Sequence, residues 1–226
     1  MQVTTSVGLL GLCVAVWLLT ACSSDELDLQ LADDWGQFSD KTRVQLINAS
    51  LTPLDFHLAP FSETNDAPVI SAPKYHRGSL EVAQAPKDVE VKRSYTNHKL
   101  SIQVFDMLSK APGEFQQIQS APEKALQVVA WQDDSKVRIS VLRRESSSQN
   151  GLYRLRLLAV ANAVQLKLGN VQLTLHKGQL SDWLSLQQCH GDLLLNSKAL
   201  DLCQATPGQS FLAVLDAEKL RSLTQI

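Results

Sequence analysis

Hydrophobic and polar residues alternate with a period of two along most of this chain. Apolar side chains occupy every second position in runs that begin near Val44, Leu54, Val89, Leu100 and Val137, with polar residues between them. Such alternation is typical of β-strands that bury one face and expose the other. Proline and glycine interrupt the runs at short intervals, and helix signals are weak. The pattern predicts a chain made mostly of short β-strands, with residues 216–226 forming either a short terminal helical turn or a last strand.

The polar segment Ser-Ser-Ser-Gln-Asn-Gly at residues 146–151 contains no apolar residue and is the clearest linker in the chain. Strand patterns restart at Leu152, and Gly169-Asn170 between two alternating runs predicts a tight hairpin. We therefore predict a first β domain over residues 41–145 and a second over residues 152–226. Both are expected to be antiparallel, immunoglobulin-like β-sandwiches, so the predicted fold class is all-β.

The two predicted domains match each other at four short segments, which favours an internal duplication. One match, a His-basic-Gly-x-Leu pattern, places His76 and His176 in equivalent turns. Because any two β domains share alternation, chance similarity is the alternative. The segments align residues 43–47 with 154–158, 54–58 with 164–168, 76–80 with 176–180, and 122–130 with 207–215.

Residues 7–21 are apolar and uncharged, and the run is shorter than the about 20 residues of a spanning helix. It suits the hydrophobic region of a secretory signal, although residues 1–6 contain no Lys or Arg. The following Leu19-Thr20-Ala21-Cys22 resembles a bacterial lipobox. The resemblance implies a signal peptide at residues 1–21 and lipidation of Cys22, the alternative being a buried apolar helix. Ser23 implies sorting to the outer membrane, with a periplasmic or surface-facing domain.

Residues 22–40 are acidic, with six Asp or Glu residues and no positive charge. This composition predicts a tether between the lipidated Cys22 and the first domain. The alternative is a short edge strand, because Leu27, Leu29 and Leu31 alternate with polar residues.

Cysteine usage agrees with export. Cys13 would leave with the signal peptide and Cys22 would carry lipid, which leaves Cys189 and Cys203. In an oxidising compartment this pair predicts a disulfide, which would stabilise the fold by about 3 kcal/mol through a loop of about 15 residues. Free thiols or a metal site are the alternatives, and only His190 lies close enough in sequence to assist a metal site.

Residues 43–50 read Arg-Val-Gln-Leu-Ile-Asn-Ala-Ser and resemble the opening strand of a bacterial extracytoplasmic domain of unknown function, type 4397. Residues 54–58 fit its second strand, and residues 124–130 fit its last strand with Leu126 in place of the usual aromatic. The second half departs from the pattern at residues 159–161. The resemblance implies a β-sandwich at the cell envelope, often in tandem, similar in pattern to periplasmic accessory proteins of alginate acetylation. It implies no catalytic residues.

Charge and chemistry narrow the functional classes. The 226 residues contain 21 Lys and Arg against 23 Asp and Glu, a balance of −2 that argues against nucleic-acid binding. The five His residues share no metal-ligand spacing, and the chain has no Gly-x-Ser-x-Gly elbow and no glycine-rich phosphate loop. We assign no catalytic residue, metal ligand or cofactor.

Trp183 lies among polar residues and is the best candidate for an exposed binding aromatic, whereas Trp131 ends an apolar run and suits a core. Arg143 and Arg144 lead a basic cluster that would meet an acidic polymer or lipid head groups. The competing interpretation is that these arginines are solvated residues that protect strand edges. The cluster is completed by Arg138, Arg154 and Arg156.

Three functions fit these observations. The leading hypothesis is a lipid-anchored, non-catalytic accessory that binds a protein partner or an envelope glycan through strand edges or loops. The second is an accessory or enzyme of exopolysaccharide modification, such as acetylation, which requires a polar cleft. The third is a structural spacer or adhesin subunit.

Overall fold

The computed structural model describes residues 40–60, 70–93, 99–119 and 125–226 of the chain. The predicted signal peptide, Cys22 and the acidic tether before Asp40 lie outside the described residues. The described residues form sixteen β-strands and one short 3-10 turn at Pro73–Tyr75. The prediction of an all-β fold of two sandwiches is confirmed, and residues 216–226 supply the last strand rather than a helical turn.

Eight strands belong to each half of the chain. The first half contains β1 Asp40–Asn48, β2 Leu54–Pro60, β3 His76–Leu80, β4 Lys87–Arg93, β5 Lys99–Asp106, β6 Pro112–Gln119, β7 Leu126–Asp133 and β8 Lys136–Arg143. The second half contains β9 Tyr153–Ala159, β10 Val164–Leu168, β11 Val171–Leu175, β12 Leu184–Leu186, β13 His190–Leu195, β14 Lys198–Asp201, β15 Ser210–Leu215 and β16 Leu220–Gln225.

Each half is a sandwich of two four-stranded sheets. In the first sandwich we call β4-β1-β7-β8 inner sheet 1 and β3-β2-β5-β6 outer sheet 1. In the second sandwich β12-β9-β15-β16 is inner sheet 2 and β11-β10-β13-β14 is outer sheet 2. Adding eight to every strand number of the first sandwich gives the strand order of the second. The inner sheets each contain a parallel pair, β1 with β7 and β9 with β15, whereas the other described pairs are antiparallel.

The strand register supports an internal duplication. Val44 lies opposite Leu126 in the first sandwich, and Leu155 lies opposite Phe211 in the second, as two of the four sequence matches require. The third match aligns residues 54–58 of β2 with residues 164–168 of its topological equivalent β10. The match of residues 76–80 with 176–180 is wrong. Residues 76–80 form β3, whose topological equivalent is β11, whereas residues 176–180 form the turn that follows β11. A glycine tolerates both settings: Gly78 lies in a strand, and Gly178 adopts φ +78°.

The buried apolar side chains form three clusters. One fills the first sandwich around Phe56, and one fills the second around Leu157. The third, which we call the inter-sandwich core, joins the two inner sheets and combines residues from both halves. Inner strands are therefore buried on both faces, and all six residues of β15 are buried. The fully or largely buried members of the inter-sandwich core are Ile47, Ala49, Val129, Trp131, Leu158, Val160, Leu212 and Val214.

The strand directions define two ends of the unit Asp40–Ile226. At the end that we call the turn end, odd-numbered strands finish and even-numbered strands begin, as Asn48 opposite Ala130 and Leu54 opposite Asp106 illustrate. At the other end, the entry end, β1 begins at Asp40 and residues 144–152 connect β8 to β9. The predicted disulfide is present: Cys189 and Cys203 are bonded, with a Cα–Cα distance of 4.8 Å, beside the entry-end strand β12.

Candidate functional site

Trp183 lies at the edge of inner sheet 2, just before β12. Because Ser185 pairs with Arg154 along β9, Trp183 lies across from Arg156. The guanidinium carbons of Arg154 and Arg156 each lie 5.7 Å from the centre of the indole ring, which is half-buried. Two cations thus contact one aromatic ring, a cation–π arrangement.

The same arginines also hold the connecting segment against the second sandwich. Arg156 Nη1 lies 3.6 Å from a Glu145 carboxylate oxygen. Arg154 donates to the Ser147 carbonyl at 3.3 Å and to the Ser147 hydroxyl at 3.0 Å, and Ser147 N–H donates to the Ser210 hydroxyl at 2.8 Å. Arg154 and Arg156 therefore have a structural role whatever Trp183 binds.

The basic cluster expected from the sequence is divided in the structure. Arg144 lies 3.5 Å from Asp88 on β4, and Arg138 lies 3.5 Å from Asp133 toward the turn end. Arg143 is exposed at the end of β8 and makes no ion pair with any residue that the structure describes. Arg143 is the last residue of β8, and Arg144 follows the strand. The association of Trp183 with Arg154 and Arg156 depends on the β9–β12 register, which sequence spacing does not reveal.

Sequence reasoning missed a group of exposed aliphatic residues at the turn end of the first sandwich. Leu51, Val82 and Leu108 expose 57%, 45% and 75% of their surfaces. They occupy three different connections, between β1 and β2, β3 and β4, and β5 and β6. We call these three residues the apolar tip. No single one stands out in the sequence, because isolated exposed leucines are ordinary.

Asn48 connects two of the turns that carry the apolar tip. Its Nδ2 donates to the carbonyls of Thr52 and Leu80 at 2.9 Å and to that of Glu81 at 3.3 Å. Its Oδ1 accepts from the amide of Ser50 at 2.9 Å and from the Ser50 hydroxyl at 2.7 Å. Asn48 is buried, so the Asn-Ala-Ser motif is a hydrogen-bonded turn motif in this fold.

The third turn is fixed by Asp106. Its carboxylate accepts the Ser109 amide at 2.7 Å and the Leu108 amide at 2.9 Å, and these bonds, Ser109 first, lower the pKa of Asp106. The Met107 amide donates to the Pro53 carbonyl at 2.9 Å, which ties this turn to the β1–β2 turn. The backbones that present the three aliphatic side chains are therefore held together by hydrogen bonds.

A cleft of about 250 Å³ also opens at the turn end, between the two sandwiches. Lys177 of the second sandwich reaches across it to Asp133 of the first, and its hydrogen bond is the main cause that lowers the pKa of Asp133. Asp216 and Arg221 form another ion pair at 2.5 Å. The two cations in the cleft lining are thus already paired.

Outer sheet 1 brings a serine, a histidine and an aspartate together. Ser79 Oγ donates to Asp55 Oδ1 at 2.5 Å, and His76 Nε2 lies 3.2 Å from Ser79 Oγ and 3.5 Å from Asp55. One nitrogen of His76 thus faces both partners, which is not the relay of a catalytic triad, where the two ring nitrogens have separate partners. Neighbouring His57 is buried, its Nδ1 lies 2.8 Å from the Ile70 carbonyl, and burial lowers its pKa.

Among the described residues, no group of three or more His, Cys, Asp or Glu side chains is arranged to hold a metal ion. The same part of the chain contains no helix with the length and apolar character needed to cross a membrane. No protein-family model matches the chain, and no curated protein matches it.

Proposed function

We propose that this chain is a lipid-anchored, non-catalytic accessory of the bacterial cell envelope, a tandem protein of the type 4397 kind, which docks a partner protein through its apolar tip. The observation that carries the proposal is the exposure of Leu51, Val82 and Leu108 on three hydrogen-bonded turns. Aliphatic side chains grouped on a rigid scaffold are typical of protein-binding loops.

The apolar tip lies at the end of the first sandwich where β1 finishes. The chain from Cys22 reaches the first sandwich at Asp40, where β1 begins at the entry end. The nine residues of β1 then run the length of the sandwich, about 30 Å at about 3.3 Å per residue. The chain therefore enters the first sandwich at the end opposite the apolar tip. The disulfide agrees with an exported protein.

The rigidity of the three turns favours binding. Ordering a flexible loop costs free energy on association, and a turn that is already ordered avoids that cost. The bonds of Asn48 and Asp106 order the turns before a partner arrives. Small apolar contacts on such turns can therefore contribute to affinity.

The test is photo-cross-linking in cells of a bacterium that naturally encodes the chain. A photoreactive residue replaces Leu108 in the full chain, and the matched control places it at Val171, which is 57% exposed but lies at the entry end of the second sandwich. We expect one discrete envelope protein to be captured from position 108 and not from position 171. The same products from both positions would contradict docking at the apolar tip.

The anchor is tested separately. Cys22→Ala in the full chain should move the protein from the membrane fraction, because the thiol that would carry lipid is lost. Continued membrane association of the variant would refute lipidation without bearing on the apolar tip.

A second candidate function is that of an accessory or enzyme of exopolysaccharide modification. The contact of Trp183 with two arginines favours it. An anionic polysaccharide would meet the cations and the ring together. We expect alginate to change the tryptophan fluorescence of the full chain, and Trp183→Phe to abolish the change. A change that survives this substitution would move the binding site elsewhere.

A further inference from the structure

We propose that the free edge of β11 joins two copies of this chain, which pair β11 with β11 in antiparallel fashion and unite their outer sheets 2. The inference goes beyond the proposed docking of a partner protein and does not depend on it, because β11 and the apolar tip are in different sandwiches.

Within the ranges that the structure describes, one edge of β11 is open, because the strand pairs with β10 and with no other strand. The two-residue turn at Gly169-Asn170 makes Leu168 and Val171 a hydrogen-bonded pair, so Val171, Leu173 and Leu175 bond to β10. The backbone groups of Gln172 and Thr174 consequently point outward. No turn or loop backbone group in the described ranges bonds to either residue.

The equivalent strand of the first sandwich, β3, has a protected edge. A bulge interrupts the pairing of β3 with β2, and β3 contains His76 and Arg77. Its neighbour β4 is seven residues long and rich in charge, whereas β12, the equivalent neighbour of β11, has only three residues. Bulges, charges and covering segments are the usual protection of sheet edges, and the described residues supply none of these at β11.

A second edge is protected by side chains. Ile139 on β8 is bonded by two side chains of β6. Gln116 donates to the Ile139 carbonyl at 2.8 Å, and Glu114 accepts a hydrogen bond from the Ile139 amide at 2.9 Å. Neighbouring side chains therefore occupy backbone groups of β8 that another strand would need. Two edges of the first sandwich are thus blocked, while the edge of β11 in the second is left available.

The sequence of β11 suits pairing with itself. It reads Val-Gln-Leu-Thr-Leu, without charge, proline or glycine. Centred on Leu173, an antiparallel pair places Leu173 opposite its own copy and Gln172 opposite Thr174. The outward groups of Gln172 and Thr174 then form the hydrogen bonds, and no like charges meet. The pair would also cover Val171, which is 57% exposed, and the half-buried Leu173. A two-fold contact of this kind is closed, so it ends at a dimer.

The test is cysteine cross-linking of the purified full chain. In the proposed register the two copies of residue 173 are a non-hydrogen-bonded pair with a Cα separation of about 4.5 Å, within disulfide range. Oxidation of Leu173→Cys should give a covalent dimer on non-reducing gels. Gln172→Cys alone should not, because residue 172 faces residue 174. Leu108→Cys, on the most exposed large apolar residue described, controls for random collision.

Two further variants keep the test independent of folding defects. Mixed Gln172→Cys and Thr174→Cys chains should cross-link, and both positions are exposed and outside the core. Adding Gln172→Pro to Leu173→Cys removes an outward amide without breaking a bond to β10, so the cross-link should be lost. Failure of both Leu173→Cys and the mixed pair in folded protein would overturn the proposal, as would equal cross-linking at residue 108.

Discussion

Cutting the backbone between Gln149 and Asn150 should leave the two sandwiches associated. The perturbation is a protease recognition sequence inserted between these two exposed residues. It leaves in place the hydrogen bonds of Ser147 with Arg154 and Ser210. What holds the halves together after cleavage is then mainly the inter-sandwich core.

The size of that core sets the expected affinity. Six of its members are large aliphatic residues that separation would expose, namely Ile47, Val129, Leu158, Val160, Leu212 and Val214. At about 2 kcal/mol for each side chain, they contribute about 12 kcal/mol to association. The loss of rigid-body freedom opposes association by at least about 4 kcal/mol, which leaves at most about 8 kcal/mol and a dissociation constant of about 1 µM or weaker.

The assay is size-exclusion chromatography of cleaved full chain at a concentration well above that constant. We expect the two fragments to elute together. Val214→Asp should separate them, because a carboxylate without a partner in this core costs several kcal/mol. Val82→Asp is the matched control at a 45% exposed position, and it should leave the fragments associated.

The result that would refute the reasoning is separate elution of the cleaved fragments without any further substitution. The sandwiches would then be independent domains, as the polar segment at residues 146–151 suggested from the sequence. Association that survives Val214→Asp would equally contradict the assignment of the binding energy to the inter-sandwich core.

Three further predictions concern stability, each measured by chemical unfolding of the folded chain. Asn48→Ala should lower the free energy of unfolding by about 2–4 kcal/mol, because it removes the side chain that bonds to the Leu80 carbonyl and to the buried Ser50 amide; a loss under about 1 kcal/mol would contradict this. Replacing both Cys189 and Cys203 by Ala should cost about 3 kcal/mol, and reduction of the native chain should cost the same; no loss in either case would deny the disulfide a stabilising role. Burial lowers the pKa of His57, so the unfolded chain binds a proton at about pH 6.5 while the folded chain binds it only at lower pH; stability should fall as the pH drops below about 6.5, and the fall should be smaller in His57→Gln. An identical pH dependence in both proteins would exclude His57 as its source.

Much of the fold could be read from the alternation of residues. The runs around Val44, Leu54, Leu100 and Val137 are strands β1, β2, β5 and β8, and Gly169-Asn170 is the hairpin turn expected. The alternation fails as a guide on the inner strands. Val128, Val129 and Ala130 are consecutive apolar residues because inner sheet 1 is buried on both faces.

The candidate site was only partly predictable. Trp183 was predicted as an exposed aromatic from its polar neighbours, whereas the structure shows it half-buried, with Arg154 and Arg156 as its arginine partners rather than Arg143. Strand register decides which residues meet, and register depends on pairing between segments that are far apart in the chain. The apolar tip was missed for the same reason, since its three residues are separated by at least 26 positions.

The sequence alone determined local facts about this protein. The period of two set the strands, the alignment of residues 43–47 with 154–158 indicated the repeat, and the cysteine count indicated the disulfide. Tertiary structure decided which surfaces are free. The two inner sheets pack face to face, so the faces that point away from their own sandwiches form the inter-sandwich core. The edge of β11 and the apolar tip remain exposed among the described residues. Periodicity reports which residues share a face, whereas exposure depends on what covers that face, and only packing of the whole chain sets this.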